Sequence, residues 1–314
     1  MRVAVTGAAG FIGSHIVEEL VTGGHQVLAI DGLLAGLYPA EVKRSVFDGL
    51  PEQGVDRVVA DLRAADLVEL LDGVDAVINE AAMPGQAVSW LEFELYASCN
   101  LTAVQRLAEA CLEAGVGRLV QVSTSSAYGR NAVGNEGLPL APISPYGVTK
   151  VAAEALVQAY VRERGLDAVI LRYFSVYGPR QRPDMAYHLF CEALLDDREL
   201  TVFGDGRQSR SNTYVTDVAA ATIAALTAGD PGLVANIAGG ESIALLDALE
   251  VLADALGAEP RIAWQPAQVG DQRDTRGDAG LAREVLGWTP QVGVKEGLTA
   301  QAAWHRGRRA DSES

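Results

Sequence analysis

TGAAGFIGSH, Thr6 to His15, sets three glycines, Gly7, Gly10 and Gly13, between an apolar β-branched run and the start of an apolar helical pattern. In that order of strand, turn and helix, glycine lets the backbone bend sharply and brings amide groups and a helix N-terminus up to a pyrophosphate. The glycines alone say little; their place between strand and helix makes the stretch a dinucleotide-binding turn. Asp31 ends the next apolar run, 18 residues beyond Gly13. A carboxylate there accepts hydrogen bonds from the adenosine ribose hydroxyls and repels a 2′-phosphate, and Gly32, Leu33 and Leu34 supply no cation for one. NAD is therefore expected rather than NADP. Asp61, closing the third run, has two readings: a partner for the adenine edge, or the N-cap of a helix after Arg63.

Outward from this turn, the runs Val3–Val5, Val27–Ile30, Val58–Ala60, Ala76–Ile78, Leu119–Val122 and Ala168–Leu171 alternate with stretches of helical apolar spacing such as Leu101, Val104, Leu107, Ala108 and Cys111. Such alternation predicts an α/β fold, a Rossmann-type doubly wound parallel sheet with helices on both faces. After Arg172 the rhythm loosens, with short strands expected at Leu200–Phe203 and Ser211–Val215 and helices near 216–228 and 243–256. Residues 1–172, with strands returning at about 211–238, form the expected NAD-binding domain. Residues 173–210 and 239–308 form a smaller C-terminal α/β substrate part, and 309–314 a flexible tail. No linker rich in Gly, Ser or Pro separates the two parts, so a packed boundary is expected.

With 314 residues, 49% of them hydrophobic, the chain can bury a full core. A net charge of −16 excludes nucleic acid and anionic membrane as partners, since neither is approached without a basic patch. No apolar run has membrane-spanning length and no signal-peptide pattern is present, so a cytoplasmic location is expected. Cys99, Cys111 and Cys191 fit neither a disulfide framework nor a C-x-x-C metal site and are read as buried or half-buried thiols. His15, His25, His188 and His305 lack metal-ligand spacing, and no metal is expected. Of these, His15 is read as helix packing and His188 as a candidate on the substrate side.

Chemistry is concentrated in SPYGVTKVAAEAL, where Tyr146 and Lys150 stand four apart in a helical pattern and so share one face. An ammonium beside the phenol stabilises phenolate, and the positive nicotinamide of NAD lowers the tyrosine further, which makes Tyr146 a general base near neutrality. A Tyr-x-x-x-Lys pair is common by chance. Here its weight comes from its position one strand and one helix after STSSAYG.

Together, TGAAGFIGSH, NEAA, STSSAYG, SPYGVTK, LRYFSVYGPRQRPD and the late GDQR resemble the extended short-chain dehydrogenase/reductase family of nucleotide-sugar epimerases and dehydratases, from Arg2 to about Trp304. The resemblance implies Thr124 as proton relay, Tyr146 as base, and Lys150 as ribose ligand and electrostatic support. It sets Phe11, Ile12, Leu62, Ala81, Ala82, Ser123 and Tyr173 against the cofactor with Gly7, Gly10, Gly13, Asp31 and Asp61. The 4,6-dehydratases resemble STDEVYG, with an acid and a base where this chain has Ser125 and Ser126, and the decarboxylases usually carry glutamate at the position of Ser126. The similarity therefore points to a redox-neutral 4-epimerase. The alternatives are a dehydratase, decarboxylase or reductase of the same family, or a non-catalytic NAD-binding sensor or scaffold.

For the substrate, a nucleotide-diphosphate sugar and most simply a UDP-sugar, the resemblance implies Arg210 and Arg273 at the diphosphate, both of which also read as surface ion-pair partners. Phe203 stands at the nucleobase position, or is a core aromatic. Thr124, Ser125, Ser126, Ser175 and Arg182 look like the set that epimerases of UDP-glucuronate place around the sugar carboxylate; UDP-glucose epimerases more often carry asparagine at Ser175. Departures from the pattern are Ala87 for arginine, Glu80 for leucine, and Ser211 and Asn212 for an acidic and an aromatic residue. Glu80 is expected to point away from the site. Stretches 92–114 and 147–164 correspond to the family's dimer interface, and a homodimer is expected.

Overall fold

Seven strands, all parallel, make the sheet that organises the chain: β1 (Arg2–Thr6), β2 (Gln26–Asp31), β3 (Val55–Val59), β4 (Ala76–Asn79), β5 (Arg118–Thr124), β7 (Ala168–Tyr173) and β12 (Val234–Ile237). Their order is β12-β7-β5-β4-β1-β2-β3. The winding reverses between β1 and β4, which opens a crevice at the C-terminal ends of those two strands. The computed structural model describes residues 1–267 and 274–313, with the backbone alone at 311–313.

Parallel strands are covered on both faces, so they need apolar side chains on both, as in Val3, Ala4 and Val5, all fully buried. One face packs on α1 (Phe11–Thr22), α8 (Val215–Ala224) and α10 (Gly280–Leu286); the other packs on α3 (Leu67–Leu70), α5 (Ala103–Glu113) and α6 (Pro145–Arg164). Local chemistry sets the ends of α6. The Ser144 side chain caps it by accepting from the Gly147 amide at 3.2 Å, Pro145 opens it, and Gly165 closes it with φ of 71°.

Beyond β7 a second core joins α7 (Ala186–Leu195), α9 (Leu245–Leu256), α11 (Val294–Glu313) and β9 (Leu200–Phe203), which pairs with β14 (Ile262–Gln265). A four-stranded sheet of β6 (Asn131–Gly134), β10 (Ser209–Ser211), β13 (Ser242–Ala244) and β15 (Asp274–Gly277) and a two-stranded pair of β8 (Val176–Tyr177) with β11 (Thr213–Tyr214) connect this part to the main sheet. Of the strands expected to return at 211–238, Val234–Ile237 joins the main sheet while Thr213–Tyr214 pairs with β8. The stretch expected as a flexible tail is helical to Glu313, since Arg308 and Arg309 pair with Glu192 and Asp196 on and beside α7.

Candidate active site

The crevice is a cavity of about 470 Å³. It gathers Gly7, Gly10, Phe11, Ile12, Gly13, Asp31, Asp61, Leu62, Ala81, Ala82, Ser123, Thr124, Ser125, Ser126, Tyr146, Lys150, Tyr173, Ser175, Arg182 and Arg210, residues spread over more than 200 positions of the chain. Phe203 is half-exposed on β9, outside the residues that line the cavity, and so is not the core aromatic that was its second reading. Arg273 lies outside the described residues.

Glycine is required at the turn by close approach. A Cβ on Gly13 would meet the Gly7 carbonyl oxygen at 2.2 Å, and one on Gly7, whose φ is 70°, would meet the Ala81 amide at 2.8 Å. The turn is thereby pressed against the end of β4, and α1 begins with no side-chain cap and no acid in its first turn, leaving its amides for an anion. Asp31 is oriented by the amides of Ala9 (3.1 Å) and Leu33 (2.7 Å). Burial raises its pKa, and those amides and Lys43 pull the other way. Asp61 is not the N-cap of the next helix: Asp66 caps α3, while the Asp61 carboxylate is gripped by the Arg63 guanidinium at 2.7 to 3.1 Å and held below its ordinary pKa.

The reacting end is built by β5 and α6. Lys150 Nζ donates to the Val122 carbonyl at 2.7 Å, and the Thr124 hydroxyl accepts from the Ser126 amide at 3.1 Å, so both groups are oriented by backbone. Burial pushes Tyr146 up; the Thr124 hydroxyl and Arg182 pull it down, and Glu80 raises it again. For Lys150, burial works against the ammonium, and Glu80 and Glu154 favour it. One turn past Lys150, Glu154 takes the Ser123 hydroxyl and forms a buried ion pair with Arg172, which also donates to Tyr128 at 2.9 Å. Tyr146, Lys150 and Glu154 thus make one stripe of α6 facing β5.

Several residues of the cavity escaped sequence reasoning. Lys43 on α2 (Ala40–Asp48) reaches it and donates to the Leu34 carbonyl at 2.9 Å, and Arg63 lines the same end. Tyr38, Met83, Gln86 and Cys99 also line it. Asn100, in a π-helical turn at Ser98–Thr102, accepts from the Met83 amide (2.7 Å) and donates to Met83 O (3.0 Å) and Thr149 Oγ1 (3.1 Å). It joins the cavity wall to the helix of Tyr146 and Lys150, and a lone amide on an apolar helical stretch was its available signal.

Glu80 turns inward rather than away, because it follows directly on β4, a strand buried on both faces, and the cavity is the space open to it. Arg182 lines the cavity with two of its nitrogens on Asp184, at 3.0 and 2.9 Å. Ser211 and Asn212 serve the fold, bonding Gly239 O (2.8 Å) and Tyr187 Oη (3.0 Å). His15 packs α1 against the Pro179 carbonyl (3.0 Å), as expected. His188 is away from the cavity, its ring on the Gln181 carbonyl at 2.7 Å. The fold brings it within 4.8 Å of ligand atoms of Glu192 and His305, a grouping that sequence spacing concealed. Arg308 sits on the Glu192 carboxylate there and supplies its own positive charge.

Residues 3–238 match the model of the NAD dependent epimerase/dehydratase family. The chain belongs to that family. Similar relatives include an uncharacterized UDP-glucose epimerase of Bacillus subtilis, 40% identical over 97% of this chain and 98% of that one. A dTDP-glucose 4,6-dehydratase of an Actinoplanes strain is 34% identical over 99% of each. Among solved structures, UDP-glucuronic acid 4-epimerase from Bacillus cereus in complex with UDP-glucuronic acid and NAD superposes with a TM-score of 0.94 at 37% identity, covering 98% of this chain and 100% of that one. As an epimerase/dehydratase family member the chain is an enzyme, and among its described residues no helix is long and apolar enough to cross a membrane.

Proposed function

We propose that this family member is an NAD-dependent 4-epimerase of a nucleotide-diphosphate sugar, with UDP-glucuronate or a UDP-glucose-type sugar as substrate. The observation that carries this reading is the pair after Thr124. Ser125 and Ser126 line the cavity beside Tyr146, and neutral hydroxyls cannot supply the acid and base that elimination of water requires. The cofactor fits the residues present: the Gly7–Gly13 turn has backbone at van der Waals limits, and Asp31 offers a carboxylate oriented by two amides.

NAD, held by these residues, would supply a reversible hydride acceptor for the sugar C4. Tyr146 takes the C4 hydroxyl proton and gives it back, Thr124 relays it, and the Lys150 ammonium stabilises the phenolate. Gly7, Gly10 and Gly13 hold the pyrophosphate, with Phe11, Ile12, Leu62, Ala81, Ala82, Ser123 and Tyr173 as the wall. Ser125, Ser126, Ser175 and Arg182 line the sugar side, Arg210 faces the diphosphate, and a hexuronate is the substrate best matched by an arginine there.

The enzyme acts in the cytoplasm as a homodimer. In support of the dimer, Trp90, Leu91, Phe93 and Val148 are 67%, 82%, 50% and 48% exposed around the start of the two expected interface stretches.

Incubation with UDP-glucuronate, UDP-glucose, UDP-N-acetylglucosamine and a dTDP-sugar, followed by chromatography and mass analysis, tests the reading. A product of unchanged mass supports it; loss of water or carbon dioxide refutes it in favour of a dehydratase or decarboxylase.

A further inference from the structure

Glu80 brings a carboxyl group into the cavity at a position where the resembled family usually has leucine. Its backbone cannot swing away. Asn79 before it is held by Thr6 (2.7 Å) and Gln121 (2.8 Å), and the Ala81 amide after it donates to Thr6 Oγ1 at 3.2 Å. The Gly7 turn lies so close that a Cβ there would come within 2.9 Å of the Glu80 carbonyl carbon. The side chain lines the cavity together with Ser123, Tyr146, Lys150 and Tyr173, and its Oε2 is shut off from solvent without a hydrogen-bond partner among the described residues.

Among the described residues, the charged and titratable groups facing it are few. Lys150 and Tyr146 come from α6, with Glu154 one turn further and acting on Lys150. Tyr173 comes from β7, and Arg182, from the loop after β8, acts on Tyr146. Arg172 is turned to Glu154. Burial pushes the Glu80 carboxyl up to about 8, and Lys150 opposes this shift. A buried carboxyl with a free oxygen at this end of the cavity has an electrostatic use that leucine lacks.

We propose that Glu80 sets the charge preference of the nicotinamide end of the cavity, its carboxylate favouring the cationic, oxidised ring over the neutral, reduced one. This rests on the reading above that the cavity holds NAD. In a redox-neutral cycle the cofactor must end as it began, and wherever Glu80 is ionised a site that prefers the oxidised form favours that closing step. Lys150 tempers the effect, leaving a single carboxylate in a partly solvated cavity to change the binding ratio by about tenfold.

The test is calorimetric titration of nucleotide-free wild type, Glu80→Gln and Glu80→Leu with NAD⁺ and with NADH, with circular dichroism confirming the fold. At pH 9 the ratio of the NADH to the NAD⁺ dissociation constant is expected to be about tenfold lower in both variants than in wild type. At pH 6, where the carboxyl is protonated, the three proteins are expected to agree within about twofold. Glu80→Gln preserves shape, so it decides the matter if the leucine variant folds poorly. Equal ratios in wild type and Glu80→Gln at pH 9, or a difference that persists at pH 6, overturn the proposal. A wild type that binds neither nucleotide overturns it along with the cavity assignment. The expected shift in a protein that epimerises no sugar nucleotide upholds Glu80 and refutes the epimerase reading alone.

Discussion

Replacing Arg172 by methionine should be among the most damaging single changes away from the reacting atoms, and the structure gives its size. The Arg172 and Glu154 side chains are 6% and 5% exposed and joined by Nε at 3.0 and 3.2 Å and Nη2 at 2.6 Å. The guanidinium also lies 4.9 Å from the centre of the Tyr128 ring and donates to its hydroxyl at 2.9 Å. Removing it leaves a buried carboxylate with the Ser123 hydroxyl as its neutral partner. Stranding one member of a buried ion pair costs about 3–5 kcal/mol, whereas replacing both members by apolar residues of similar volume is often near neutral. The double variant Glu154→Leu/Arg172→Met still loses the partners of Ser123 and Tyr128, on the order of 1–2 kcal/mol. Urea unfolding of wild type, the two single variants and the double variant closes a double-mutant cycle. The expected order is Arg172→Met less stable than the double variant, which is in turn less stable than wild type. An Arg172→Met loss below about 1 kcal/mol, or a double variant as unstable as the sum of the singles, refutes the reasoning that these charges are dry and interdependent.

Three further outcomes follow. Tyr146→Phe should abolish turnover while calorimetry still detects NAD; full activity in that variant would show that another group is the base. Ser175 holds φ of 23°, a left-handed conformation that asparagine tolerates better than serine. Ser175→Asn should therefore leave thermal stability unchanged or raise it by up to about 1 kcal/mol, and a lower Tm would show that the serine hydroxyl matters more than backbone strain. His15 is held at about 4 by burial and by Arg180, so between pH 6.5 and 4 the unfolded chain binds a proton that the native one refuses. Stability is complete above this window and falls through it on acidification by roughly 2–3 kcal/mol on account of His15. The slope of urea midpoint against pH should flatten in His15→Gln, and an unchanged slope would exclude that origin.

Features carried by residues near one another in the chain were readable beforehand. The approach of Gly13 to Gly7 joins residues six apart, and the Tyr146–Lys150 face rests on helical periodicity. Ser144 and Pro145 start their helix through bonds within one turn. Five of the seven main strands followed from their apolar runs, because a strand covered on both faces has no polar alternation to disguise it; β3 carries Asp56 and Arg57, and its apolar run marked only its end at Val58 and Val59. Such features need only backbone sterics and local hydrogen bonds, which any fragment of the sequence already contains.

What packing decided was of longer range. Arg182, from the loop after β8, reaches the same cavity as Tyr146 on α6. His188, Glu192 and His305 meet because α11 lies along α7. Lys43 and Glu80 reach the cavity from opposite sides of the β1–β4 crevice, about 40 residues apart in the chain. Fold class, cofactor turn and the base with its lysine were set by patterns that are periodic and local. Tertiary structure alone decided which charges share the cavity with Tyr146, since Coulomb interactions depend on distance in space and on the water that packing removes.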